Sequence, residues 1–361
     1  MMARPRTQEE VNERIERVRR RRPRLLEQVV TLAHGAGGKS SAALTANVFL
    51  EAFGNPALDA LGDAAVLDLP DGQRLAFSTD SYVVNPIQFP GGSIGDLAVN
   101  GTINDLAVSG AIPQWISAGF VIEEGLPMET LRALVQDMAN AAVAAGVQIV
   151  TGDTKVVAKG AADQVFINTA GIGLVPAGRR LSSALVRPGD RIVLSGPMGA
   201  HGMAVMLARG DLDIEADFVS DTRAVNGLVE AVLAAAPDTR WLRDATRGGV
   251  GTVVNELAAD TDLGVVLDED TLPVESAVGG ACELLGIDPL YVANEGAFVA
   301  VVPEAQAPAA VTALRSLPGG EQACVIGVVA DDPPGLVVMQ TRFGGTRVVD
   351  MLVGDPLPRI C

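Results

Sequence analysis

Carboxylates recur where this chain passes from an apolar run into a polar loop. Asp63 lies in LGDAAVL, Asp80 in FSTDSYV, Asp105 in INDLAV, Asp153 in VTGDTKV and Asp244 in LRDATRGG. Most have Gly, Ser, Thr or Asn close by, the composition of a strand meeting a loop, where α/β proteins commonly bind ligands. One such Asp reads as a helix or turn cap. Five of them suit a hard cation, since Mg²⁺ is held by a few carboxylates together with nucleotide phosphates. HGAGGKSS (34–41) complements them. Glycines ahead of a helix free backbone N–H groups to face an anion, and the helix N-terminus favours negative charge. Lys39 and Ser40 add donors there. The GxxxxGK[ST] spacing is absent, so this is no P-loop, and an ordinary turn is the competing reading.

Other reactive groups stand apart from these. Lys155, two residues after Asp153, can stabilise a phosphoryl group or act as a base if its pKa is lowered; otherwise it is a surface lysine. Arg247 in RDATRGGVGTVVNE precedes a Gly–Gly turn into a helix, a second anion-binding arrangement. Glu295 follows Asn294 between two apolar strands in LYVANEGAFVAVV, and is either a base perturbed by burial or a plain loop glutamate. The chain ends in GDPLPRIC, so Cys361 is its last residue. Termini are usually the least ordered part of a domain. Pro356 and Pro358 restrict the backbone before the thiol, and Arg359 favours its anionic form while the adjacent α-carboxylate opposes it.

These groups need elements to hold them. In SIGDLAVNGTINDLAVSGAIP (93–113), helical spacing puts Asp96, Asn100 and Asn104 on one face and Ile94, Leu97, Ala98 and Gly101 on another. The glycines weaken such a helix and signal close approach of a neighbour. Strands are expected at 64–69, 74–80, 114–122, 147–153 and 164–175, and helices at 40–53, 93–109 and 127–145. Beyond AGRRLSSALVRPGD, the strand candidates are DRIVLSGP, GVVLDE, FVAVVP and ACVIGVVA. The helix candidates there are HGMAVMLARG, RAVNGLVEAVLAAA and GGVGTVVNELAA. The alternation implies two α/β (or α+β) domains. The chain divides into a basic extension (1–29), a nucleotide-binding domain (30–178), a second α/β domain (179–345) and a tail (346–361).

Composition agrees with this plan. The 361 residues exceed one ordinary core, and 48% are hydrophobic while only 4% are aromatic, so aliphatic side chains must do the packing. A net charge of −17 argues against nucleic-acid binding but permits nucleotides bridged by a cation. Arginines crowd residues 14–24, which read as a solvated extension rather than an arm for an acidic partner. Cys282, Cys324 and Cys361 show no CxxC spacing, hence no disulfide framework and no zinc signature, as expected of a cytoplasmic protein. Cys282 and Cys324 read as small core residues. The first residues lack a basic-then-apolar pattern ending in small residues, so no signal peptide is expected, and no run of 18 apolar residues occurs to span a membrane.

Together HGAGGK, GDAAVL, STDSYVVNP, GDLAVNGTINDLAVSGAIP, TGDTKVV, DATRGGVGTVVNE, NEG and the terminal PRIC resemble the HypE family of hydrogenase maturation factors, from about residue 30 to 361. The inner motifs are shared more loosely with aminoimidazole ribonucleotide synthetase, selenophosphate synthetase and thiamine-monophosphate kinase; PRIC is the part particular to HypE. The resemblance implies a two-domain PurM-like fold, dimerising through N-terminal strands that form a shared barrel. It implies that the carbamoyltransferase HypF loads the terminal cysteine. The S-carboxamide is then dehydrated with ATP to a thiocyanate, whose cyano group passes to the HypC–HypD complex for [NiFe]-hydrogenases. It assigns Asp63, Asp80, Asp105, Asp153 and Asp244 to a Mg–ATP site. His34, Gly35, Gly37, Gly38 and Lys39 fall near the phosphates, with Asn104 and Arg247 also at the nucleotide. Lys155 and Glu295 become the groups that deprotonate or polarise the carboxamide on Cys361. Two readings compete: a small-molecule kinase of the same superfamily, which has no need of Cys361, and a non-catalytic scaffold.

Overall fold

The computed structural model describes residues 25, 27–35, 37–210, 218–352, 357 and 359–361. The arginine-rich stretch, Pro356 and Pro358 lie outside the described residues. The first half runs α1 (Lys39–Leu44), a π-helical turn, α2 (Leu50–Phe53), β1 (Ala65–Asp68), β2 (Arg74–Tyr82), β3 (Gln88–Phe89), β4 (Gly92–Ser93), α3 (Ile94–Val108), β5 (Ile112–Glu123), α4 (Met128–Ala145), β6 (Gln148–Val157) and β7 (Val165–Val175). β1, β2, β7, β5 and β6 form one open sheet in that order, antiparallel except for β5–β6, which α4 connects as a crossover. The sheet is not closed into a barrel. β7 shows how it is built: Val165, Ile167, Thr169, Gly171, Gly173 and Val175 all face inward. Phe77, Trp115, Val121 and Leu174 remain exposed.

The inward face packs on α3, which is buried nearly all round. The helix starts where Ser93 caps it: Ser93 Oγ accepts the Gly95 N–H at 3.2 Å, and Asp96 Oδ2 accepts the Ser93 N–H at 3.1 Å. Its polar stripe is turned to the second domain. Asn100 Nδ2 donates to Thr222 Oγ1 at 3.3 Å and Asn104 Nδ2 to the carbonyls of Arg223 and Glu295 at 3.0 and 3.2 Å, while Asn104 Oδ1 accepts the Val225 N–H at 2.8 Å.

The second half runs β8 (Arg191–Leu194), α5 (Ala200–Ala208), α6 (Asn226–Ala235), β9 (Trp241–Asp244), α7 (Gly249–Thr261), β10 (Gly264–Asp268), α8 (Ser276–Leu285), β11 (Phe298–Val302), α9 (Ala307–Arg315), β12 (Cys324–Ala330), β13 (Val337–Gln340) and β14 (Thr346–Val349). Its sheet, in the order β14-β13-β10-β12-β8-β11-β9, is covered on both faces. Val250, Val254 and Leu257 of α7 pack on one side, and Leu228, Val232 and Leu314 of α6 and α9 on the other. Burial on both faces explains why β11 reads as an unbroken apolar run. β9, β13, β14, α8 and α9 are not among the elements expected from sequence. Residues 346–349, read there as tail, are the edge strand β14, too short and too exposed to show a pattern. Cys282 sits in the core, where burial pushes its thiol up to about 11. Among the described residues no helix is long and apolar enough to cross a membrane.

Candidate functional site

A cavity of about 380 Å³ lies between the two halves. Asp63, Asp80, Tyr82 and Asp105 line it from the first domain, Arg243, Asp244, Arg247, Thr252, Glu256 and Glu295 from the second, and His34, Gly37 and Cys361 from the chain's two ends. One oxygen each from Asp63, Asp105 and Asp244 lie within 4.8 Å of one another. Burial is the first cause of a raised pKa in all three, and the neighbouring carboxylates add to it. Asp63 is brought to about 6, with Arg243 opposing the rise. Arg243 Nε stands 2.9 Å from Asp63 and its Nη2 3.2 Å from Glu256, while Ser78 Oγ donates to Asp105 Oδ2 at 2.5 Å. Asp80 lines the cavity outside this close trio and accepts from Tyr82 Oη at 3.2 Å.

Other expected residues fall elsewhere. Asp153 and Lys155 do not line the cavity: they sit on exposed β6, paired with each other at 2.6 Å. Asn104 is spent on the backbone contacts described above. Gly35 lines an adjoining pocket and its carbonyl accepts from Arg247 Nη1 at 3.0 Å. Gly37 has φ 79°, and a Cβ there would stand 2.8 Å from the Arg247 carbonyl, so glycine is required for this approach. Gly38 and Lys39 turn away to the C-terminal segment: the Lys39 N–H donates to the Leu352 carbonyl at 2.9 Å and Lys39 Nζ to Asp350 Oδ2 at 2.7 Å. A carboxylate brought close by the fold thus takes the lysine from the glycine loop.

Glu295 is buried, and its Oε1 has no hydrogen-bond partner among the described residues. Burial, then Asp244, Asp221 and Asp80, hold its pKa well above the usual value, against the pull of Arg247. Asp221 pins the loop by accepting the N–H groups of Glu295 and Gly296 at 3.1 and 3.0 Å. The C-terminal tail is docked. An oxygen of the Cys361 α-carboxylate accepts the Val83 N–H at 3.2 Å, the Arg359 carbonyl accepts from Asn85 N–H at 3.3 Å and Arg209 Nη2 at 2.8 Å, and Leu357 and Ile360 are buried in the interdomain core. Arg359 itself bonds Asp163 at 2.8 Å and the Val83 carbonyl at 3.1 Å. Arg247 is the cation beside Cys361, whose negative charge is the first cause of its raised pKa. Arg243, Glu256, Tyr82 and Thr252 escaped the sequence reading. Arg243 adjoins Asp244 in LRDATRGG, but nothing local announces its pairing with Asp63.

Two domains of this topology, with carboxylates and cations gathered between them, define an AIR synthase related protein. The family model for the N-terminal domain of those proteins matches residues 61–175, and that for the C-terminal domain matches 187–339. Carbamoyl dehydratase HypE of Rhodobacter capsulatus is 51% identical over 340 residues, covering 93% of this chain and 99% of that one. Among solved structures, a HypE–HypF complex superposes with a TM-score of 0.81 at 44% identity, covering 86% of this chain and 100% of that one. HypE in complex with ATP superposes at 0.77 with 46% identity, covering 92% and 100%. The chain belongs to the HypE family of carbamoyl dehydratases.

Proposed function

We propose that this chain uses ATP to dehydrate the S-carboxamide carried by its own Cys361 to a thiocyanate, supplying cyanide for hydrogenase iron. The carrying observation is that Cys361 lines the same cavity as the acidic trio, Arg247 and Glu295. In balance, the carboxamide and ATP give thiocyanate, ADP, phosphate and a proton. The γ-phosphoryl group goes to the carboxamide oxygen, the C–O bond breaks with phosphate departing, and nitrogen gives up two protons. Arg247 offsets charge on the transferring group. Glu295 takes a proton from nitrogen, since its raised pKa makes the ionised form a strong base. Mg²⁺ fits the clustered carboxylates of Asp63, Asp105 and Asp244, and when bound it would neutralise phosphate charge. Cys361 receives its carbamoyl group from HypF in the cytoplasm and yields the cyano group to HypC–HypD.

Intact-mass analysis tests this reading. Treatment with the carbamoyltransferase and its donor is expected to add one carbamoyl group, and ATP then to remove one water, in wild type and not in Cys361→Ala. Full ATP turnover on a small molecule by Cys361→Ala would favour the kinase reading, and no ATP use by the carbamoylated chain the scaffold.

We propose that a dimer of this chain gives Asp153 and Lys155 their place in the reaction. Asp153, Gly119, Asn168 and Ser81 follow one another across β6, β5, β7 and β2, so Asp153 shares a face with cavity-lining Ser81. On a shared barrel that exposed face meets a second copy, whose β6 carries Lys155 toward this chain's cavity. Mixing inactive Lys155→Ala with inactive Cys361→Ala is then expected to restore activity at about one site in four. A mixture as inactive as its components would place Lys155 in cis, and an active Lys155→Ala would put it outside the reaction.

A further inference from the structure

We infer that His201 is a positioning residue for the dehydration: its Nε2–H holds the carbonyl of Ile360 and so fixes where Cys361 stands. The kinetic part of this inference rests on the function proposed above; the docking part does not.

His201 is fully buried in the first turn of α5, and both ring nitrogens are engaged. Nε2 is 2.9 Å from the Ile360 carbonyl oxygen and Nδ1 is 2.8 Å from Ser220 Oγ. A carbonyl oxygen only accepts, so Nε2 carries the proton and Nδ1 accepts from the Ser220 hydroxyl. Ser220 Oγ in turn accepts the Thr222 N–H at 3.1 Å, which orients it. The Phe89 ring meets the imidazole edge-on at 5.4 Å and 87° and braces its plane. The donor is therefore aimed before the tail arrives. An undocked tail would leave a buried N–H without a partner, which favours the docked state.

The helix bearing His201 is tied to the loop bearing Glu295. The Gly199 N–H donates to Asn294 Oδ1 at 2.7 Å and the Gly202 N–H to the Ala293 carbonyl at 3.1 Å. Val83 grips an oxygen of the Cys361 α-carboxylate from the first domain while His201 grips the Ile360 carbonyl from the second, so the last residue is held from both sides. Because the grip is on backbone, it is indifferent to what the sulfur carries and serves both the loaded and the dehydrated tail.

The test uses full-length, carbamoylated protein. His201→Ala is expected to slow single-turnover dehydration about tenfold and to speed trypsin cleavage after Arg359 by a similar factor. His201→Gln, whose amide N–H reaches the place of Nε2, is expected to recover both rates to within about threefold of wild type, which a merely structural role would not produce. Wild-type rates in His201→Ala, or a Gln variant as impaired as the Ala variant in both, would overturn the assignment. Should His201→Ala not accumulate folded, Ser220→Ala carries the test, since it removes the hydroxyl that fixes the donor nitrogen. Both rates should then shift in the same directions, and unchanged rates count against it. If wild type itself fails to dehydrate, the function reading falls, while the trypsin comparison still decides docking.

Discussion

Glu295→Gln is expected to lower dehydration about 10³-fold while making the protein more stable, the first effect being the size of a lost general base. The carboxylate is buried at the cavity with one oxygen lacking a partner, and Asp244, Asp221 and Asp80 oppose its ionisation. A neutral isostere keeps the shape and removes the cost of ionisation, which amounts to about 1–3 kcal/mol at neutral pH. The sign follows from the raised pKa. Below the ordinary glutamate value of 4.5, folded and unfolded forms are both protonated and wild type bears no penalty. As pH rises above that value, the unfolded chain ionises freely while the folded one resists, so the penalty grows toward the raised folded pKa. The melting-temperature gain of Glu295→Gln over wild type should therefore be larger at about pH 8 than at about pH 5. A gain independent of pH, or dehydration at the wild-type rate, would refute the assignment of a strained catalytic carboxylate.

Gly95→Ala is expected to destabilise the first domain by about 3 kcal/mol, among the larger effects of a single methyl group. A Cβ at Gly95 would stand 2.2 Å from the Leu134 carbonyl oxygen and 3.0 Å from its carbon. Both belong to helix backbones, α3 and α4, so no side chain can turn aside and the helices must separate. Leu134 and Met138 pack with Ile94 and Leu97 in the core that separation would open. Gly101→Ala differs in kind: its Cβ would fall 2.2 Å from Tyr82 Oη, pushing a cavity-lining ring from Asp80. Urea unfolding reads the first effect as a lower midpoint at unchanged slope. A melting temperature within about 2 °C of wild type would show that the crossing tolerates a methyl group.

Legibility in the sequence followed how local the cause was. The strands of the first sheet and α3 were readable because apolar runs and helical spacing act within a few residues. β9 and β14 were not, since short edge strands depend on partners rather than on pattern. The amide stripe of α3 was seen correctly as a polar face, but Asn104 serves the neighbouring domain's backbone and not the cavity. The pairing of Lys39 with Asp350, 311 residues away, had no local signal.

By itself the sequence determined the inventory: two α/β domains, acidic strand ends, a glycine-rich N-terminal loop, an arginine before a Gly–Gly turn and a terminal thiol. These follow from residue type and near spacing, which the chain carries everywhere it goes. Only the tertiary structure decided which of them meet. It drew Asp63, Asp105 and Asp244 together across 181 residues of chain, set Arg247 beside Cys361, and gave the tail a buried seat under His201. Such meetings depend on long-range packing of buried helices and sheets, and no local rule encodes them.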